Sequence, residues 1–223
     1  SIASSFAQDV SADGAVVVGL SQSAAGQEAF RWTASEGMVG LGDFATGSFS
    51  SQATAVSADG SVVVGNGNPG PGPLNALAFR WTSATGLVAL GALPSGGSQG
   101  NEAFDVSADG TVIVGRSSNS SGVGTEAFRW TNATGMVGFG GLLGAIVDSE
   151  ALAVSADSTV VVGLALNTNG QDEAFRWTAS GGMVGLGMLP GDNFSVAFEV
   201  SGDGSLVLGV SGFIGGTTAT SQP

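Results

Sequence analysis

The sequence contains no cysteine, histidine, tyrosine or lysine, and these absences exclude most catalytic chemistry. Serine and cysteine nucleophiles need a neighbouring base that accepts a proton near neutral pH, and histidine or lysine normally supplies it. Zinc, copper and haem sites lose their usual nitrogen and sulfur ligands. Cation sites built from oxygen ligands and acid-base chemistry by paired carboxylates remain. We therefore expect a protein that is not an enzyme and that binds no cofactor or metal.

Positive charge is also scarce, because all five basic residues are arginines and the formal net charge is −13. Binding to phosphate needs clustered Lys and Arg, so neither nucleic acid nor an anionic membrane is expected as a partner. No apolar run is long enough for a membrane-spanning helix. A polar complement of Ser, Thr, Asn and Gln without Lys is typical of exported proteins, and a start at Ser1 is what a processed chain or a fragment shows. The expected location is secreted, extracellular or on the cell surface.

The dominant positive signal is a repeat of three ordered blocks. The first block, VSADG at 10–14, returns four times, with its aspartates 46, 50, 48 and 46 residues apart. The second, AFRWT at 29–33, occurs four times and contains all four tryptophans, and the third, GMVGLG at 37–42, follows it each time. The repeated polar and aromatic residues are Asp13, Asp59, Asp109, Asp157, Asp203, Arg31, Arg80, Arg129, Arg176, Trp32, Trp81, Trp130 and Trp177.

Each unit predicts four short β-strands. Asp-Gly between two apolar runs, as at Asp13-Gly14, is a strong hairpin signal, in which both turn residues are expected to tolerate positive φ. The second and third blocks supply the other two strands. No segment has helical periodicity, and 39 glycines would each weaken a helix by about 1 kcal/mol.

The predicted fold is therefore all-β, with four-stranded units of roughly 48 residues arranged as in a β-propeller. A β-solenoid is the alternative. The predicted single domain, 1–223, divides into units at 1–52, 53–100, 101–150 and 151–195 and a terminal half-unit at 196–223.

The three blocks resemble the HAF-repeat family of bacterial extracellular proteins, whose units combine an Ala-Phe-Arg-Trp strand, a Gly-rich Leu-Pro-Gly-Gly stretch and a Val-Ser-Ala-Asp-Gly hairpin. The resemblance covers essentially the whole chain, and GALPSGG at 91–97 matches the middle stretch. It implies a secreted or surface protein with no assigned chemistry. The histidine of the family motif is replaced here by Glu28, Leu77, Glu126 and Glu173.

The repeated arginines have two interpretations. A guanidinium group can bind a carboxylate or a sugar with its planar fork of donors. On a strand, however, Arg31 points away from the face that Phe30 and Trp32 share. Because each unit has one such Arg and one turn Asp, we expect internal ion pairs, such as Arg31 with Asp13 or Asp59.

The repeated tryptophans also have two interpretations. Exposed rings could stack on sugars. A Trp that occurs once per unit beside a Phe on the same strand face is more typical of a core between units, where its large apolar area is buried. We expect core positions, and exposure of all four rings would favour the sugar-binding interpretation.

The remaining carboxylates indicate turns and surface charges. The sequence around Asp13-Gly14 lacks the alternating oxygen ligands of a calcium loop, so a turn is expected there, and Ser158, which replaces the glycine in unit four, suggests that the turn is loose. Glu102 with Asp105 and Asp148 with Glu150 are the local acidic pairs. Neither pair recurs, so we expect solvated loop charges rather than an acid-base pair.

The blocks also predict an unfinished array, because five VSADG-type hairpins accompany only four copies of the other two blocks. The terminal segments 2–18 and 196–214 carry no Lys, the residue that most often protects a free sheet edge. We therefore hypothesise a structural or adhesive protein that assembles head to tail with copies of itself. The alternative is a carbohydrate-binding propeller, with an extracellular polysaccharide as partner and loops 65–75 and 115–125 on one rim.

Overall fold

The computed structural model describes residues 4–23, 26–44, 49–68, 76–94, 100–119 and 124–214, which form five antiparallel sheets. The first sheet contains β1 (Ser5–Val10), β2 (Val16–Ser23), β3 (Gly26–Thr33) and β4 (Gly37–Gly42), with β5 (Phe49–Ser50) parallel to β3. The second contains β6 (Gln52–Val56), β7 (Val63–Gly67), β8 (Leu77–Thr82) and β9 (Gly86–Ala89). The third contains β10 (Asn101–Val106), β11 (Ile113–Ser118), β12 (Thr125–Thr131) and β13 (Gly135–Gly138). The fourth contains β14 (Ser149–Val154), β15 (Val160–Leu166), β16 (Asp172–Thr178) and β17 (Gly182–Gly185), and the fifth is the hairpin of β18 (Phe194–Val200) and β19 (Val207–Gly212).

Each four-stranded sheet is one repeat unit folded as a meander. Strands pair in chain order, and every pairing apart from the short parallel contact of β3 with β5 is antiparallel. This confirms the predicted all-β, propeller-like repeat. The solenoid alternative is wrong, because a parallel β-helix pairs strands from successive coils, whereas these strands pair within their own unit.

The core lies between successive sheets. Val112 and Val114 of the third sheet pack with Val161 and Phe175 of the fourth, and all four side chains are at most 1% exposed. Equivalent clusters join the first sheet to the second, the second to the third and the fourth to the terminal hairpin. Each unit therefore depends on its neighbour to bury its apolar faces.

A β-bulge interrupts the first strand of every unit. In β10 the register shifts between Ala103 and Asp105, and the same shift occurs in β1, β6, β14 and β18. The partner strand must approach closely here, since a Cβ added to Gly115 would lie 1.9 Å from the Glu102 carbonyl oxygen. The bulge directs the residue that follows it, such as Asp105, toward the next unit.

The hairpin turns differ from the expected two-residue Asp-Gly turn. The Gly14 N–H donates to the Ser11 carbonyl at 2.8 Å, so the turn spans four residues, and Gly14 has φ +72°. Asp13 is not in the left-handed region, so the expectation of positive φ at both residues is wrong. The expectation of a loose turn at Ser158 is also wrong, because Ser158 adopts the left-handed φ of 66° that glycine has in the other four turns.

Candidate functional site

The five turn aspartates organise their own hairpins. The Asp59 carboxylate accepts hydrogen bonds from the Ser57 hydroxyl at 2.7 Å and from the Ser61 N–H at 2.9 Å. These bonds lower the pKa of Asp59 to about 2, because they stabilise the charged form. Within the described residues, no cluster of three or more acidic side chains is arranged to hold a metal ion. The same bonding pattern recurs at Asp13, Asp109, Asp157 and Asp203.

The expected ion pairs between the repeated arginines and the turn aspartates do not form. Arg31 instead donates to Glu36 at 3.0 Å, within its own unit. In the part of the chain that the structure describes, no carboxylate lies within ion-pair distance of Arg80, Arg129 or Arg176, and their guanidinium groups donate no hydrogen bond. The prediction failed because the hydroxyl and N–H donors of each turn already satisfy its aspartate.

Three of the four tryptophans pack against the clusters between units, but at their margins, and the centre of the core is not theirs. That place belongs to the Phe of the same block, since Phe79, Phe128 and Phe175 are each 0% exposed. Trp32 is 36% exposed. Trp81, Trp130 and Trp177 are partly buried at the margins of the clusters.

These arginines and tryptophans meet in three equivalent grooves between successive units, which we call the Arg-Trp grooves. In each, the Arg of one unit faces the Trp and the hairpin turn of the next. Groove 1 pairs Arg31 with Trp81, groove 2 pairs Arg80 with Trp130, and groove 3 pairs Arg129 with Trp177. Their cavities measure about 330, 650 and 530 Å³.

The acidic pairs expected to be solvated loop charges have defined partners instead. Glu102 and Glu150 lie on strands, and Arg116 donates to Glu102 at 2.7 Å and to Glu150 at 2.5 Å, joining units three and four. Asp148 accepts the Thr125 N–H at 3.0 Å. The fourth residue, Asp105, lies at the bulge of β10. Its carboxylate accepts the N–H groups of Val154 in the next unit and of Val106, at 2.8 and 2.7 Å.

Asp105 belongs to an inner row of acidic residues, which occupy the same bulge position in alternate units. The Asp9 carboxylate accepts the Val56 N–H of the second unit at 2.8 Å. This contact is equivalent to the one between Asp105 and the Val154 N–H of the fourth unit, which is also 2.8 Å long. Burial raises the pKa of Asp105 to about 7, and the charges of Glu199 and Asp9 add to the increase. Units two and four carry Ala55 and Ala153 at this position, so carboxylate and methyl alternate along the array.

A second joint between units was missed by the sequence reasoning. The Ser149 hydroxyl accepts the Ala127 N–H at 2.9 Å and donates to the Gly140 carbonyl at 2.7 Å, both in the preceding unit. A polar residue lies two positions before the alanine that precedes each register shift, as Ser149 does before Ala151, and its recurrence inside a buried strand was the available signal. The equivalent residues that join the other units are Ser51, Asn101 and Ser195.

The two ends of the array expose faces that internal units bury. Leu206 and Leu208 are 72% and 69% exposed, whereas the equivalent Val160 and Val162 of unit four are 2% and 0% exposed. At the other end, Val10 is 51% exposed. We call these the C-terminal face (Leu206, Leu208) and the N-terminal face (Ala7, Val10). Parts of the expected rim loops 65–75 and 115–125 lie outside the described residues.

Two solved structures share this arrangement of sheets. TolB from Acinetobacter baumannii matches 94% of this chain and 54% of its own length, with a TM-score of 0.58 and 12% identity. A protein described as TolB from Agrobacterium tumefaciens matches 92% of this chain and 69% of its own, with a TM-score of 0.57 and 14% identity. The fold is therefore that of a propeller-like repeat protein.

The likeness to TolB extends to the fold alone, at this level of identity. The chain spans about half the length of the first of these proteins, 54%. No protein-family model and no curated protein matches the sequence, so the resemblance to HAF repeats stays a prediction. Among the described residues, no helix is long and apolar enough to cross a membrane.

Proposed function

We propose that this chain is an exported, non-enzymatic structural or adhesive module that associates head to tail with further copies of itself. The single observation that carries the proposal is the exposure of Leu206 and Leu208 at 72% and 69%, on the face that every internal unit buries. Fully burying a leucine side chain contributes about 1.5–3 kcal/mol, so this face favours an apolar partner.

The surface that fits the C-terminal face is the first strand of a repeat unit. Inside the array, Val160 and Val162 are covered by β18, which contributes Ala197 and Val200. The N-terminal face presents the same kind of strand, with Ala7 and Val10 at the equivalent positions. Each copy therefore carries both halves of the contact, and a head-to-tail contact of unlike faces propagates unless its rotation closes a ring.

Repulsion between negative charges opposes this association, so its strength should depend on salt and on the acidic residues at the contact. Within the array an acidic bulge residue meets a unit that carries alanine there, but a copy joined at the C-terminal face would bring Asp9 toward Glu199. Like charges in such a contact repel. The net charge of −13 adds a long-range repulsion that salt screens. We therefore expect association to strengthen with ionic strength and in the variant Glu199→Ala.

Light scattering coupled to size-exclusion chromatography, over a range of protein concentrations, tests the proposal. We expect a mass that rises with concentration for the 223-residue chain. The double variant Leu206→Asp, Leu208→Asp should be monomeric. Val137→Asp is the matched control, since Val137 is 49% exposed on β13 of the internal third unit. A monodisperse monomer at all concentrations, or assembly unaffected by the double variant, would contradict the proposal.

A further inference from the structure

The three Arg-Trp grooves bring arginines together at a recurrent site on an acidic protein. Four of the five arginines line them, whereas the chain has 18 acidic residues. Groove 2 is lined by Arg80 and Arg129, and groove 3 by Arg129 and Arg176. Arg129 therefore lines both, and the two grooves form one continuous series across units two to four.

The arginines of grooves 2 and 3 are partly buried without an ionic partner. No carboxylate of the described residues lies within ion-pair distance of Arg80, Arg129 or Arg176. A partly desolvated guanidinium that donates no hydrogen bond is stabilised by any anion that reaches it. Among the described residues that line these two grooves, the one carboxylate is that of Asp109, and it already accepts the Ser107 hydroxyl and the Thr111 N–H at 2.7 and 3.0 Å.

Groove 1 differs in one residue that acts as an internal control. Glu36 lies in the turn between β3 and β4, and its carboxylate forms an ion pair with the Arg31 guanidinium at 3.0 Å. Units two and three carry Thr85 and Thr134 at this turn position, and unit four carries Gly181. The chain thus neutralises the first groove and leaves the other two open to an external anion.

Each open groove combines three kinds of recognition group. Arginine binds a carboxylate with two parallel N–H donors. The partly exposed Trp130 offers an apolar surface for the C–H face of a sugar ring, and so does the part of Trp177 that does not stack on Phe139. Hydroxyl and amide groups of Thr131, Asn132 and Thr178 lie beside them and can bond sugar hydroxyls.

We infer that grooves 2 and 3 bind an acidic polysaccharide, through the carboxylates of its uronate residues. A polymer suits the site, because grooves 2 and 3 are lined by the same types of residue in succession and share Arg129. Nucleic acid fits less well. Its dense phosphates need clustered basic residues, whereas here isolated arginines are surrounded by a net charge of −13.

Titration of the intact chain with tetragalacturonate and an alginate tetramer tests the inference, with the methyl ester of the first as a neutral control. Tryptophan fluorescence measures binding directly, since three of the four tryptophans line the grooves. We expect at least one acidic tetramer to bind, its neutral ester about tenfold or more weaker, and Arg129→Met to weaken binding by about tenfold or more. Binding should weaken as salt rises, because it depends on ion pairs, but less steeply than at a nucleic-acid site, where more charges are neutralised.

Two further variants separate groove binding from a general loss of structure. Arg31→Met should leave the affinity for the acidic tetramers unchanged, because Arg31 is already ion-paired with Glu36. Glu36→Thr should free Arg31 of groove 1 to bind a carboxylate of the ligand. We then expect a higher affinity for longer acidic oligomers or more oligomers bound per protein chain. Urea unfolding establishes that Arg129→Met remains folded. Equal binding of the ester, no effect of Arg129→Met, no binding of either acidic tetramer at millimolar concentrations, or tighter binding of an oligothymidylate would each overturn the inference.

Discussion

The Arg116 guanidinium donates to Glu150 at 2.5 Å, across the boundary between units three and four. It also bonds Glu102, its cross-strand neighbour in the third sheet. Replacing Arg116 with Met leaves two partly buried carboxylates without their shared cation, so we expect the free energy of unfolding to fall by about 1–3 kcal/mol. Urea titration followed by tryptophan fluorescence measures it.

Arg129→Met is the control for this prediction, because the described residues provide no ion-pair partner for Arg129. Its free energy of unfolding should stay within about 0.5 kcal/mol of that of the unmodified chain. If the two variants were equally stable, Arg116 would not be a stabilising bridge.

The Ser149 hydroxyl makes two buried hydrogen bonds to the preceding unit. Ser149→Ala leaves the Ala127 N–H and the Gly140 carbonyl without a partner, and we expect a loss of about 1–3 kcal/mol in the free energy of unfolding. Ser5→Ala is the matched control, since Ser5 has the same repeat position at the exposed start of β1. A similar small change in both variants would show that the joint contributes little.

Ser158 has a φ of 66° where the other four turns have glycine. Ser158→Gly should raise the free energy of unfolding by about 1 kcal/mol, because a left-handed conformation strains a residue that has a Cβ. The reverse change, Gly204→Ser, should destabilise more strongly. Its Cβ would lie 2.4 Å from Val160 Cγ2 as well as adopting positive φ. Thermal unfolding monitored by circular dichroism compares them, and a destabilised Ser158→Gly variant would refute the strain.

Asp105 should make stability fall as the pH rises. Burial raises its pKa from 3.8 when unfolded to about 7 in the folded protein. Between these values the folded chain retains a proton that the unfolded chain releases, so the free energy of unfolding decreases with pH, by up to about 1.4 kcal/mol per pH unit. The decrease ends above the folded pKa, where both states are ionised.

The variant Asp105→Asn removes this titration. We expect its free energy of unfolding, measured with urea from pH 4.5 to 8, to show a much flatter dependence on pH. The turn aspartates act in the opposite sense. Hydrogen bonds from Ser201 and Ser205 lower the pKa of Asp203 to about 2, so its contribution is lost only as the pH falls below about 4. An unchanged slope in Asp105→Asn would exclude Asp105 as its source.

Much of the architecture could be predicted from the order of the residues. Short β-branched runs such as VVVG at 16–19 and a Gly-containing turn at 11–14 act locally, and their repetition at intervals of 46 to 50 residues requires equivalent units. Even so, the form of the turn was predicted incorrectly. The glycine was identified correctly as a left-handed residue, but the sequence does not show that the Ser11 hydroxyl bonds Asp13 and fixes a four-residue turn.

The candidate sites depended on contacts between units. Arg31 pairs with Glu36, five residues ahead, while Arg80 and Arg129 face the next unit across a groove and Arg176 lines groove 3 beside Trp177 of its own unit. Strand alternation alone cannot say which of Phe128 and Trp130 is enclosed, because that depends on how deeply the preceding sheet covers each position.

The sequence by itself determined the composition, the number of units and the strands within each, because these follow from local conformational preference and from repetition. Only the tertiary structure decided which polar groups are paired. It joined Arg116 to Glu150 and placed Asp105 on the backbone of Val154, while the arginines of grooves 2 and 3 were left open. The reason is physical: solvent exclusion and hydrogen-bond geometry at each position are set by the neighbouring unit, almost 50 residues away in the chain, as in the Asp105 to Val154 separation of 49.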